Sequence, residues 1–429
     1  MAKEAVLLLA HGTPETVEQV PEYLRNVVSG RPVPPHVVEE IQHRYALIGK
    51  SPLTEITLEQ ARLVEEELNG VGGAGVASGP SDKDKNVARA GQLTPTLSAE
   101  PPHGRGPVRG DPGLSGQDGA REPVSHPSRK NNDAAWMGHA AGAGQPREGL
   151  PTLSPEERRQ DGARRIRVYV GMRNWKPYIP DVVKQMRADG VEEAAVVCMA
   201  PQNSRTSVGL YRRAVEAEAQ GLRIDFTEGW ARHPLLIEAF AERLRPAWTK
   251  LSAETGRPVP VLFTAHSVPR RTVEAPKDSD SHPSDKNKNV ARVGHPDARL
   301  WPGQGADPYA EEARHTAELV AARAPEIPGW RFAFQSQGAS GGEWIGPSVE
   351  ETLEEMAREG VKALVLQPIG FLCDHVEILF DVDRLFRAYA AKVGIRLERP
   401  ESLNASRTLA RAVADLAQRG LARLNARRG

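Results

Sequence analysis

Cysteine is almost missing from this chain. Only Cys198 and Cys373 occur, each inside an apolar, strand-like stretch. A disulfide framework is therefore excluded and a reducing compartment indicated, and two thiols cannot hold an iron–sulfur cluster of the four-cysteine kind. Long apolar runs are missing too. The opening MAKEAVLLLAHGTPE has one short run before His11 and Gly12, far below a signal peptide with its cleavage site, and no later run reaches the ~18 apolar residues of a membrane span. Net charge is zero, 56 Lys and Arg against 56 Asp and Glu, so nothing general attracts nucleic acid or an anionic membrane. Gly12 and Thr13 form no P-loop or dinucleotide fingerprint, and there is no Gly-x-Ser-x-Gly nucleophile elbow. These absences describe a cytoplasmic protein without stable membrane insertion.

What is present is alternation. Residues 5–10 (AVLLLA), 166–172 (IRVYVGM), 194–201 (AAVVCMAP), 222–228, 259–267 (VPVLFTAHS), 330–336 and 361–367 read as short buried strands. Helical patterns lie between them at 35–48, 54–68, 179–189, 207–220, 233–244, 309–324 and 347–358, and a last amphipathic helix spans 406–424. Apolar strands alternating with helices predict an α/β fold of two domains, mostly parallel sheets covered by helices. Pro246, Gly256 and Pro258 interrupt the pattern and place the boundary near 246–258. The expected domains are 1–250 and 256–400, with 401–429 packing back on the first.

Two stretches break the pattern. Residues 75–160 and 276–304 are rich in Gly, Pro, Ser, Asp and Lys, with too little apolar surface to offset ordering entropy, and are expected to be low-complexity loop insertions. SDKDKNVARAG at 81–91 matches SDKNKNVARVG at 284–294 in nine of eleven positions, which makes them related insertions, too short for a solenoid.

The stretch QPIGFLCDHVEILFDVD at 367–383 organises the candidate chemistry. An apolar strand breaks at Pro368 and Gly370, and acids follow where an open α/β sheet collects ligand-binding groups. On a helix over 374–386, Glu377 and Asp381 share a face, and neither has a basic residue four places away. Such a pair attracts a cation or takes protons; acids at a solvated helix N-terminus also suit the helix dipole. His266 ends the run VLFTA at the same kind of position, and a neutral imidazole binds a divalent metal or accepts a proton. Paired across a cleft, His266 and Glu377 make a minimal site for a metal that is handed on. His11 stands in the equivalent place after the first strand. Arg44, Tyr45 and Ser51 suit a carboxylate-bearing ligand.

In family order, the blocks AHGTPE (10–15), RYALIGKSPLTEIT (44–57), YVGMRNWKPYI (169–179), APQNSRTSVGLY (200–211), TAHSVP (264–269), DPY (307–309), FQSQGASGGEWIGP (334–347) and PIGFLCDHVEILFDVD (368–383) resemble the ferrochelatases, which insert ferrous iron into a porphyrin. The resemblance implies two Rossmann-like domains without a dinucleotide. It places the iron-binding and proton-accepting residues on His266 and Glu377, with Asp381 as a supporting acid. The acidic row stops at Leu385, where many members carry another acid. The N-terminal blocks resemble the coproporphyrin branch, which implies coproporphyrin III as substrate and Arg44, Tyr45, Ser51 and Tyr211 as porphyrin contacts. His11, counted with these porphyrin-binding residues, replaces a tyrosine of the family that approaches the iron axially, and the resemblance leaves its own role open. Fe2+ is then substrate, and no organic cofactor is implied; partners would be the porphyrin and transient haem-pathway enzymes, with a monomeric chain. Alternative readings are a protoporphyrin IX ferrochelatase, a cobalt or nickel chelatase of the sirohydrochlorin type, and a non-catalytic porphyrin- or haem-binding protein.

Overall fold

The computed structural model describes residues 3–70, 165–274, 306–337 and 343–428, all within one compact unit, Met1–Ala74 with Arg164–Gly429. Both expected insertions, 75–160 and 276–304, and the repeat they share, lie outside the described residues.

Strand β1 (Glu4–Ala10) leads through a single 3-10 turn to helices α1 (Val20–Val27), α2 (Pro35–Ile48) and α3 (Leu53–Leu68). Then come β2 (Arg167–Met172), α4 (Ile179–Ala188), β3 (Glu193–Cys198), α5 (Val208–Glu216) and β4 (Arg223–Thr227). Helix α6 (Pro234–Thr255) carries the chain to β5 (Val261–His266), the single turn α7 (Arg270–Val273), α8 (Tyr309–Arg323), β6 (Trp330–Gln335), α9 (Val349–Arg358) and β7 (Ala363–Pro368). A π-helix, Glu377–Phe386, runs into α10 (Arg387–Lys392), followed by β8 (Arg396–Glu398) and α11 (Arg407–Ala426). The fold is α/β, with two parallel four-stranded sheets ordered β2-β1-β3-β4 and β6-β5-β7-β8. The two orders are the same: β1 and β5 are equivalent strands, each flanked on both sides by later ones. That is the topological switch point of an open sheet, where a crevice forms beyond the carboxyl ends.

Strand alternation splits the core. Ala5, Leu7 and Leu9 of β1 face one way, against Ile179 and Val183 of α4 and Val208 and Val215 of α5. Val6 and Leu8 face the other, into a core shared with α3, α6, α11 and the inner face of the second sheet at Phe263 and Val365. Successive strand residues point to opposite faces, and parallel strands covered on both are apolar throughout. Leu262, Leu364 and Leu366 pack outward on Leu353, Met356, Ile378, Val382 and Phe386.

Two sequence expectations change. Helix α6 does not stop before Pro246 but runs through it to Thr255, ending at Gly256 in the left-handed region, φ 69°. Its buried face, Leu236, Phe240, Leu244 and Leu251, belongs to the core joining the two sheets, and that packing outweighs the missing N–H of one proline. The segment after β7 is helical, but with π winding over Glu377–Phe386.

Candidate active site

β5 ends on His266, and the bonds around it hold the ring still. Thr264 donates to Gln335 Oε1 at 2.6 Å, Ser267 N–H to the Gln335 carbonyl at 2.7 Å, and Ser267 Oγ to the Ile345 carbonyl at 2.8 Å. Tyr309 donates its hydroxyl to the His266 carbonyl at 2.9 Å. His266 Nδ1 bonds to the Ser267 carbonyl. A carbonyl only accepts, so Nδ1 carries the hydrogen and Nε2 faces outward. Nε2 stands 3.3 Å from Glu377 Oε2, an oxygen buried without a hydrogen-bond partner. A nitrogen lone pair and a carboxylate oxygen at this distance repel unless a proton or a metal ion sits with them.

Glu377 reaches that position because β7 turns tightly over the end of β5. Ile369 N–H bonds to the Thr264 carbonyl at 2.8 Å, and a Cβ on Gly370 would lie 3.0 Å from that of Ala265. The backbone approach therefore needs glycine. Ile378, Val382 and Phe386 anchor the buried side of the π-helix, which leaves Glu377 and Asp381 facing the other way. Phe371 lies between His266 and His375, with ring centroids 6.2 and 4.5 Å away. His375 is buried and bonds through Nδ1 to the Cys373 carbonyl at 3.0 Å.

Asp381 is not an unpaired acid. Arg44 Nη1 from α2 lies 3.1 Å from Oδ1, and Ser336 donates to Oδ2 at 2.6 Å. Spacing along one helix does not reveal a cation arriving from 337 residues away. Burial pushes the Asp381 carboxyl above its usual range, against the Ser336 bond and with the Glu377 charge. Arg44 also pairs with Glu40 at 2.9 Å and lies over the Phe380 ring, so it bridges α2 to the π-helix.

From the first sheet, His11 follows β1 directly, and Gly12 takes φ 76° to turn the chain. Its ring meets Tyr23 OH at 2.9 Å and Asn174 Nδ2 at 3.1 and 3.2 Å. Burial, then Arg173, then His375 and His266 hold its pKa well below the ordinary histidine value, so the imidazole is neutral near neutral pH. His11 and His266, at equivalent strand ends, thus lie within electrostatic reach of one another.

The remaining sequence candidates sit behind this surface. Tyr45 is 0 % exposed, with its hydroxyl unpartnered. Tyr211 is 4 % exposed beneath the Arg173 guanidinium, 5.1 Å from the ring centre. Ser51 is buried and accepts from Thr13 Oγ1 at 3.0 Å. Arg173 was not singled out by sequence reasoning, although it directly follows the strand block YVGM. Its Nη1 is buried without a hydrogen-bond partner. Three orphaned polar atoms, Tyr45 OH, Arg173 Nη1 and Glu377 Oε2, therefore belong to one neighbourhood, where the Glu377 charge acts on both Tyr45 and Tyr23, and Arg173 also acts on Tyr23. Buried polar groups are normally satisfied, so a concentration of exceptions marks a place for a ligand. Among the described residues no three His, Cys, Asp or Glu side chains converge on a metal position; His266 and Glu377 offer one nitrogen and one oxygen donor, a set suited to exchange.

Equivalent parallel sheets whose switch points face a shared polar site, with an imidazole and a carboxylate held at 3.3 Å, have the layout of a metal chelatase. The sequence model of the Ferrochelatase family matches residues 3–78 and 153–421. This chain belongs to the ferrochelatase family, and its activity is that of a lyase inserting Fe2+ into a porphyrin in haem biosynthesis. It is 45 % identical over 425 residues to a ferrochelatase of Acidobacterium capsulatum, covering 99 % of this chain and 96 % of the relative. A coproporphyrin III ferrochelatase of a Geobacillus species is 23 % identical, covering 94 % of this chain and 93 % of the relative. Among solved structures, SirB from Bacillus subtilis with Fe3+ aligns at TM-score 0.38 and 12 % identity, over 59 % of this chain and 81 % of that one.

Proposed function

We propose that this ferrochelatase acts on coproporphyrin III, with His266 and Glu377 as the reacting pair. The observation that carries the pair is the outward Nε2 of His266, 3.3 Å from an oxygen of Glu377 that has no hydrogen-bond donor. Fe2+ would be bound there by one nitrogen and one oxygen, weakly enough to leave for the pyrrole nitrogens. Once the ion has moved to the ring, the same two atoms are free to take protons: His266 Nε2 accepts from a pyrrole N–H and passes it to Glu377. Metal transfer and proton removal are therefore consecutive uses of one pair. The Asp381 carboxyl, raised by burial, is a further station for the proton.

Coproporphyrin III carries more propionate carboxylates than protoporphyrin IX. Support for it as substrate comes from the unpartnered Nη1 of Arg173, from Arg44 at the rim, and from the likeness to coproporphyrin III ferrochelatases along nearly the whole chain. In this reading Ser51, Tyr45 and Tyr211 shape the wall behind the macrocycle, and neutral His11 faces the metal from the side opposite His266.

The test is anaerobic Fe2+ insertion into coproporphyrin III and protoporphyrin IX, side by side, for the parent and His266→Ala. We expect kcat/KM at least tenfold higher for coproporphyrin III, and an insertion rate in His266→Ala lower by about 100-fold or more, with porphyrin binding, read by fluorescence, retained. Faster turnover of protoporphyrin IX overturns the substrate assignment. Near-parental insertion by His266→Ala overturns the mechanism.

A further inference from the structure

Asp374 and Asp383 stand on either side of Glu377, and neither takes part in the chemistry described above. Both are bound by one side chain. Arg399, the residue after β8, donates from Nε and Nη2 to the two oxygens of Asp383, each at 2.7 Å, and from Nη1 to Asp374 at 3.2 Å. Its side chain is 10 % exposed. Ser402 and Asn404 complete the Asp374 carboxylate at 2.7 and 2.9 Å, and Asn404 Oδ1 accepts the Asp374 N–H at 2.9 Å. The segment 399–404 is itself tied down: Asn404 N–H bonds to the Leu372 carbonyl at 2.9 Å, and Gln60 of α3 donates to the Asn404 carbonyl at 2.9 Å.

The geometry constrains the helix between the two acids. Along a regular α-helix, residues nine apart are separated by roughly 13 Å, beyond the span of one guanidinium. Here Asp374 lies on the turn before the helix, and Glu377–Phe386 is wound with i→i+5 bonds. Wider turns hold more residues per pitch, so the segment is shorter than an α-helix of the same count. Rewinding to i→i+4 would lengthen it, draw Asp383 away from Asp374, and rotate Glu377 relative to His266. We propose that Arg399 is a positioning residue for Glu377: by holding Asp374 and Asp383 on one guanidinium, it keeps the intervening helix in its π winding and the Glu377 carboxylate against His266. This inference rests on the reading of His266 and Glu377 as the reacting pair.

The experiment compares the parent with Arg399→Ala, Arg399→Lys and Asp383→Asn, measuring kcat and KM for the porphyrin, the melting temperature, and amide exchange over 377–386. Arg399→Ala should lower kcat tenfold or more with KM within twofold, and speed exchange in that segment. Lysine keeps the charge but not the fork that grips both acids, so Arg399→Lys should recover only part of kcat. Asp383→Asn leaves the Asp374 arm intact and should show the same split. If Arg399→Ala does not fold, Arg399→Lys and Asp383→Asn decide by the same split. Unchanged kcat in the folded variants, or a loss confined to KM, overturns the positioning role alone. A parent that inserts no iron overturns the functional reading, and this inference with it.

Discussion

At the scale of single residues, the outcome depends on which atoms lack an alternative partner. The Ser267 carbonyl takes up Nδ1 of His266, which leaves Nε2 as the ring atom that meets Glu377. His11 shows the same logic through its protonation. Its folded pKa is depressed, while the unfolded chain takes the proton near pH ~6.5. Below that value the unfolded state binds a proton the folded state refuses, so this contribution to stability is complete above pH ~6.5 and is lost as pH falls toward the folded pKa. The melting temperature of the parent should therefore drop more between pH ~7.5 and ~5.5 than that of His11→Gln, which does not titrate. An equal drop would show that His11 is not held neutral against Arg173, His375 and His266. His266 and Glu377 were legible because each follows an apolar run that ends abruptly. The Arg44 partner of Asp381 was not, because tertiary pairing leaves no local spacing. Arg173 was hidden among the many arginines of a chain with 56 basic residues. One signal was present and unused: Ala-His-x-x-Pro occurs at both 10–14 and 265–269, after the two equivalent strands.

At the scale of elements, strands and amphipathic helices were readable from their periods, whereas winding and close contact were not. β8 has three residues, Arg396–Glu398, too few for an alternating pattern to register. The π-helix shows the apolar face of any helix, and its i→i+5 bonding depends on what holds its ends. Helix α11 illustrates contact distance. Its amphipathic pattern predicts a packed helix, but the separation from β3 is set by Gly420, where an added Cβ would lie 2.9 Å from Ala195 Cβ and 3.1 Å from Asp225 Oδ2. Alanine in place of glycine in a helix ordinarily gains about 0.5–1 kcal/mol. Overpacking costs about 1–3 kcal/mol, and here the clash is the larger effect. Gly420→Ala should lose about 1 kcal/mol and Gly420→Val about 2 kcal/mol or more in denaturant melts; a stabilised Gly420→Ala would mean that α11 can move away from β3 at little cost.

At the scale of the molecule, α/β alternation revealed two sheets but not that they share one strand order, since topology depends on which strands pair. It also marked where the chain departs from its pattern. The family model skips residues 79–152, while the Acidobacterium relative aligns with 99 % of this chain, so the added segment is not peculiar to it. Asn69, at the end of α3, donates to the Ile166 carbonyl at 2.9 Å and accepts the Ile166 N–H at 2.8 Å. These bonds close the neck through which the chain leaves and returns. We infer that the segment is a passive insertion: replacing 78–158 with a short Gly-Ser linker should leave the melting temperature within a few degrees and turnover within twofold, and loss of soluble protein would show that it supports the fold. The orphaned hydroxyl of Tyr45 has a different kind of consequence. A buried polar group without a partner costs about 1–3 kcal/mol, and the Tyr45 hydroxyl is such a group. On the proposed reading, with Tyr45 in the wall behind the macrocycle, stability and affinity are drawn from a common source at this site. On that reading, changes that stabilise the fold by removing or capping that hydroxyl work against holding the porphyrin, and selection for thermal robustness alone would wear the site away.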